Sequence, residues 1–124
     1  MSLIKDLQAG IIHAVETVKQ TNPMAGSVTN TVTINFVANA QLAVGGAAAM
    51  VYMPDEAHFL AQAGGGAYIN VGTLEPVYEK TLPCMAKTLH FSGKPWVLDP
   101  VAIGIGELRT RVLQDFKSYK PSIW

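Results

Sequence analysis

Few residues in this sequence could do chemistry, and Asp99 is the most informative of them. It follows the apolar run Trp96-Val97-Leu98 and precedes Pro100, Gly104 and Gly106, after which Glu107-Leu108-Arg109 reads as a helix start. A strand that stops at an acid, before a glycine-containing loop and a helix, is a common way to build a site in α/β folds. Ligands there bind outside the carboxyl ends of the strands. Asp99 would sit at that edge with helix N–H groups behind it. The competing reading is structural, since Asp and Pro both break strands and could simply end this one. Asn30 carries a similar pair of readings: a cap on the helix that follows, or an amide turned toward a ligand at that helix N-terminus.

The remaining candidates are structural. His13 lies on or beside an apolar helical stripe, where a packed or half-exposed side chain is expected. Cys84 is a lone thiol with no histidine nearby in sequence and reads as a small core residue. Gly64-Gly65-Gly66 follows a helix instead of a strand, and no Lys-Ser/Thr pair comes after it. It is expected to be a flexible connection and not a phosphate loop.

The elements that must position these residues follow from hydrophobic period and punctuation. Residues 2–19 form a predicted amphipathic helix, with Leu3, Leu7, Ile11, Ala14, Val15 and Val18 at helical spacing and Ser2 as N-cap. Residues 26–30 are too short and polar for a central strand but suit a brief one. From Thr31 the period is helical, with Ile34, Val37, Ala38, Leu42 and Val44 on one face, Asn30 or Thr29 as cap, and Gly45-Gly46 as the stop. Residues 47–53 and 67–71 are predicted strands, and Pro54 opens a helix that runs to about Ala63. Gly72-Thr73 is a turn. A helix over about 75–91 contains Pro83, which must kink or break it. The strand beginning at Trp96 is followed by a helix from Glu107 to about Tyr119, and residues 120–124 look like the beginning of another strand. Strands alternating with helices imply parallel βαβ units with right-handed crossovers. The expected fold class is therefore a three-layer α/β arrangement with a mainly parallel sheet, in one domain spanning 1–124. Val28, Ile69, Val71, Val97 and Leu98 are expected to be buried, because parallel strands are covered on both faces.

Composition narrows the function. Nine basic and nine acidic residues cancel, so there is no basic patch to suggest nucleic acid. No apolar run reaches the ~18 residues of a membrane helix, and no secretory signal is evident. One cysteine allows no internal disulfide and fits a reducing compartment. A cytoplasmic protein is expected, with no nucleic-acid or membrane partner.

Several stretches, in order, resemble the hydroxyethylthiazole kinase family of thiamin salvage. They are Val28-Thr29-Asn30-Thr31-Val32-Thr33-Ile34-Asn35-Phe36, Ala38-Asn39-Ala40-Gln41-Leu42-Ala43-Val44-Gly45-Gly46, Met50, Ile69-Asn70-Val71-Gly72-Thr73-Leu74 and Val97-Leu98-Asp99-Pro100-Val101, with Lys120-Pro121-Ser122-Ile123 leading into the next segment. The resemblance implies a ribokinase-like fold, present in part. It also implies phosphorylation of the hydroxyl of 4-methyl-5-(2-hydroxyethyl)thiazole with ATP and Mg2+, and a homotrimer with active sites between subunits. By resemblance, Asn30, Val32 and Met50 match positions that line the thiazole pocket. Met is adaptable against rings, and an amide can orient a heterocycle. Asp99 matches an acid near the magnesium and the phosphates, a role suited to a hard oxygen ligand. Gly72 and Thr73 would lie at the neighbouring strand end, on the cofactor side of the same edge.

The departures bear on function too. Ala102 and Ile105 stand where the family favours small, glycine-rich sequence, so the loop after Asp99 is expected to be shaped differently. The resemblance spans about the first half of a family member. The family's Arg-Gly-Asn segment, a downstream glutamate and a late glycine-rich loop with a cysteine fall outside it. Cys84 is not that cysteine, because it precedes Asp99, and no catalytic residue is assigned in this chain. Two function classes follow: a thiazole kinase or its substrate-side half, or a truncated, non-catalytic or oligomerising protein that still holds a small heterocycle. A generic nucleotide-binding α/β domain has less support, since both phosphate-loop and dinucleotide fingerprints are missing.

Overall fold

A computed structural model describes residues 2–124. Ser2 caps α1 (Leu3–Thr21) through its side chain, which accepts from the Lys5 N–H. The helix stops at Asn22, which adopts a left-handed conformation. Then follow β1 (Met24–Val28), α2 (Ile34–Ala43), β2 (Ala47–Met50), α3 (Pro54–Ala63), β3 (Gly66–Asn70), α4 (Tyr78–Phe91), β4 (Trp96–Asp99) and α5 (Glu107–Tyr119). The expected beginning of a strand at the end of the chain is real. Ile123 bridges Val97 in parallel, and its carbonyl accepts from Leu98 N at 2.9 Å.

The sheet is parallel throughout, in the order β2-β1-β3-β4. The chain steps one way from β1 to β2, then the other way from β2 through β3 to β4. Right-handed crossovers must therefore place α2 on one face and α3, α4 and α5 on the other. Side chains agree with this. Gln41 of α2 donates to Ser27 Oγ on one face at 2.8 Å. On the opposite face, a Cβ at Gly26 would lie 3.2 Å from Met85 of α4 and 3.3 Å from Leu60 of α3. Helices thus lie on both faces, in the expected three-layer α/β arrangement, with a thin α2 layer.

The core fills the α3–α5 side. Val28, Ile69, Val71 and Leu98 are buried as expected, packed with Leu82, Met85, Leu89, Val112 and Phe116. Trp96 meets Phe116 edge to face at 5.3 Å, a geometry favoured by the ring quadrupoles. Val97 is only half-buried. It alternates onto the α2 face, where Pro23, Ala25, Gln41, Tyr68 and Val97 border an open apolar hollow of about 360 Å³.

Other expectations need correction. β1 is an inner strand despite its length and polarity. Its small residues let α3 and α4 approach, and the Ser27 hydroxyl is satisfied by Gln41. The first part of the α1 stripe stays in solvent, with Leu3, Leu7 and Ile11 at 82%, 62% and 55% exposure, while Val15 and Val18 are half-buried. His13 is exposed, and α2 buries no residue fully. α4 begins at Tyr78, later than expected, and runs unbroken through Pro83. The bond lost there is the one that would reach the carbonyl of Glu79, an exposed first-turn residue. Cys84 is half-buried and not a core residue; its Sγ lies 3.6 Å from the Pro54 carbonyl.

Candidate functional site

Chain leaving β1 passes to α2 on one face, and chain leaving β3 passes to α4 on the other. The carboxyl ends of β1 and β3 therefore flank a topological switch point, where open α/β sheets form ligand crevices. Asn30 lies there, two residues beyond β1. Its Oδ1 accepts from the N–H groups of Val32 and Thr33, both at 3.0 Å. Its Nδ2 donates to Asn70 Oδ1 at 3.1 Å. The capping reading of Asn30 is thus realised, on the Thr31–Thr33 turn that leads into α2 instead of on the first helical turn.

Asn70, the last residue of β3, is 3% exposed. Its Oδ1 also accepts from Gly72 N at 2.8 Å. Its Nδ2 donates to Asp99 Oδ2 at 2.8 Å and to the Tyr68 hydroxyl at 3.2 Å. The Tyr68 hydroxyl in turn donates to Asp99 Oδ2 at 3.2 Å. Burial raises the Tyr68 phenol above its usual pKa; the Asn70 hydrogen bond opposes this, and the Asp99 charge adds to the rise. Asp99 Oδ1 has no partner among the described residues, and the helix N–H groups expected behind Asp99 are not among its partners. The strand-ending role holds as well, since the Asp99 carbonyl accepts from Val101 N at 3.0 Å in a tight turn.

The rim of the crevice is tied across the switch point. Thr31 N donates to Thr73 Oγ1 at 3.3 Å, and the two hydroxyls lie 3.5 Å apart. Arg109 of α5 spans the end of β3. Its Nε donates to the Val71 carbonyl at 3.0 Å, Nη2 to the Gly72 carbonyl at 3.4 Å and Nη1 to the Ile105 carbonyl at 2.8 Å.

The fold thus gathers Asn30, Gly72, Thr73 and Asp99 into one bonded cluster. Val32 rides the same turn but is 90% exposed. Met50 ends β2 at the same sheet edge, where it borders a separate hollow of about 460 Å³ with Asp55, Glu56, Phe59 and Leu60. Sequence reasoning missed Asn70, Tyr68 and Arg109. The available signal was a polar amide closing the otherwise apolar strand run Ala67-Tyr68-Ile69. Among the described residues no group of three or more His, Cys, Asp or Glu could hold a metal. One carboxylate with a free oxygen is nevertheless a sufficient protein share for Mg2+, which usually takes one or two carboxylates and completes its shell with phosphates and water.

Comparison with known proteins identifies a family. The family model described as "Hydroxyethylthiazole kinase family" matches residues 15–123. The chain is 55% identical over 117 residues to a hydroxyethylthiazole kinase of Bifidobacterium adolescentis, covering 94% of this chain and 40% of that protein. It is 34% identical over 113 residues to one of Leptospira interrogans, covering 91% of this chain and 43% of that protein. A solved hydroxyethylthiazole kinase structure from Pyrococcus horikoshii superposes with a TM-score of 0.81 at 32% identity, covering 91% of this chain and 44% of that one. The chain spans about two fifths of the length of the curated relatives it matches.

Proposed function

The chain belongs to the hydroxyethylthiazole kinase family, and from that premise we propose that residues 1–124 form one α/β domain corresponding to the N-terminal half of a family member. It supplies the thiazole-facing and metal-facing part of ATP-dependent phosphorylation of 4-methyl-5-(2-hydroxyethyl)thiazole. The observation that carries this reading is the cluster at the switch point, where the Asn30 amide, the Gly72 backbone and the Asp99 carboxylate are linked through Asn70. The thiazole alcohol would lie against Asn30, Val32 and Met50, with the phosphate side over Gly72 and Thr73. The free Oδ1 of Asp99 would hold Mg2+, which neutralises phosphate charge when bound. Phosphoryl transfer depends on positioning and charge stabilisation more than on covalent chemistry from the protein. The share of these residues is to orient the alcohol and keep one carboxylate fixed.

By the same reading the protein acts in the cytoplasm as a homotrimer. A clean monomer by light scattering at micromolar concentration would count against the trimer. No helix among the described residues is long and apolar enough to cross a membrane.

The test pairs calorimetric titration of the 124-residue chain with the thiazole alcohol and a coupled ADP-release assay. Weak binding without useful turnover is expected from these residues alone. In the family resembled, the phosphate-gripping groups lie in other segments, and loss of a single transition-state donor already costs ~10²–10³ in rate. Turnover of ~1–100 per second, abolished by Asp99→Asn, would show that these residues suffice for catalysis. No binding at all would sink the thiazole reading.

A further inference from the structure

We propose that Asn70 is the positioning residue of this crevice: it fixes Asn30 as a hydrogen-bond donor toward the ligand and holds Asp99 with one carboxylate oxygen open. The proposal rests on reading the crevice as the thiazole-alcohol site. Its basis is the direction of the bonds. A backbone N–H can only donate, so the N–H groups of Val32 and Thr33 fix which end of the Asn30 amide is oxygen. Gly72 N does the same for Asn70. The remaining bonds then run one way, from Asn30 Nδ2 to Asn70 Oδ1 and from Asn70 Nδ2 to Asp99 Oδ2.

Three consequences follow. Asn70 Oδ1 accepts two bonds and its Nδ2 makes two, the full capacity of a carboxamide. Buried and saturated, Asn70 has nothing left for a ligand and acts only through its neighbours. Asn30 keeps a single N–H, so the ligand atom it meets must be an acceptor, such as a ring nitrogen or an alcohol oxygen. Asp99 Oδ2 takes two donors, which leaves Oδ1 for a hydroxyl proton or a cation.

The experiment is a pair exchange in the 124-residue chain. Asn70→Asp keeps the shape and the Oδ1 acceptor but sets a second carboxylate oxygen against Asp99 Oδ2, now 2.8 Å from an N–H. Like charges at that distance disfavour joint ionisation. Adding Asp99→Asn restores a donor–acceptor pair with the direction reversed. The first readout is the side-chain amide resonances of Asn30 in correlation spectra of labelled protein. Asn70→Asp should move them, and the double variant should bring them back toward the wild-type positions. The second is calorimetric affinity for 4-methyl-5-(2-hydroxyethyl)thiazole, which should fall about tenfold in Asn70→Asp, the loss expected for a mispaired polar group; it is read in that variant alone, because Asp99 itself faces the ligand. If Asn70→Asp does not fold, the double variant carries the test, because its Asn30 side-chain amide must stay hydrogen-bonded and as slow to exchange with solvent as in wild type. Unmoved Asn30 resonances in a folded Asn70→Asp, or a double variant whose Asn30 amide stays as displaced as in the single one, would overturn the proposal and leave Asn70 a packing residue. If the wild-type chain binds no thiazole alcohol, the functional reading fails, and the Asn30 resonances alone decide the positioning role.

Discussion

A Cβ on Gly72 would stand 2.9 Å from Asn70 Oδ1 and 3.1 Å from Asn30 Cβ. Position 72 is therefore closed to side chains because the amide pair occupies the space, with no help from an unusual backbone conformation. Gly72→Ala is expected to force that pair apart and to cost about 1–3 kcal/mol in urea unfolding, the usual range for overpacking. Thiazole binding should fall with it. A calorimetric titration indistinguishable from wild type would mean that the amide pair is slack.

The core makes a separate prediction. Phe116 is fully buried against Trp96 and shares no atom with the crevice. Phe116→Ala should destabilise the chain by about 3–5 kcal/mol, the range for large aromatic truncations. Chemical denaturation followed by Trp96 fluorescence would report it.

α1 predicts the opposite outcome for residues that look equally apolar. Leu7 and Ile11 are 62% and 55% exposed, so they contribute little packing within the chain. Replacing both with Gln should shift the unfolding free energy by no more than about 0.5 kcal/mol, as for surface substitutions generally. A large loss in a thermal melt would mean that the stripe is packed after all.

Alkaline pH should expose Tyr78. Burial, then the neighbouring Tyr52 and the Glu75 charge, push its phenol from 10.0 up to about 12. The folded state thus keeps the proton after the unfolded chain has released it. The resulting stability is complete below about pH 10 and is lost as pH rises through about 12. Tyr78→Phe should flatten the upper part of that limb, and ultraviolet titration of wild type should find Tyr78 among the late-ionising tyrosines, together with Tyr68, whose phenol is also raised.

What was legible in the sequence follows from which forces are local. α3, β4 and α5 could be read closely because Pro54, the Trp96 run and Glu107 mark their starts through backbone sterics and charge. Asn30 and Asp99 could be nominated because both stand at element ends. β1 could not be read as an inner strand, since Gly26 and Ser27 look weak until α3, α4 and Gln41 meet them from distant positions. The role of Asn70 is hidden in the sequence for a similar reason. Its four partners lie at positions 30, 68, 72 and 99, and no spacing rule links them. The burial expected of Val97 presumes an evenly covered sheet, whereas handed crossovers put three helices on one side and one on the other.

That uneven covering has a consequence for how the protein breathes. β2 is an edge strand of four half-buried residues, tied to β1 alone, while β3 is flanked on both sides and sealed beneath α4 and α5. Amide exchange should therefore be graded across the sheet. The β2–α2 lobe should open first and often, as a small cooperative unit, while the β3–β4 ladder waits for global unfolding. The switch point is the seam between these two regimes, so the amides of Asn30 and Asn70 join a part of the protein that fluctuates to a part that does not.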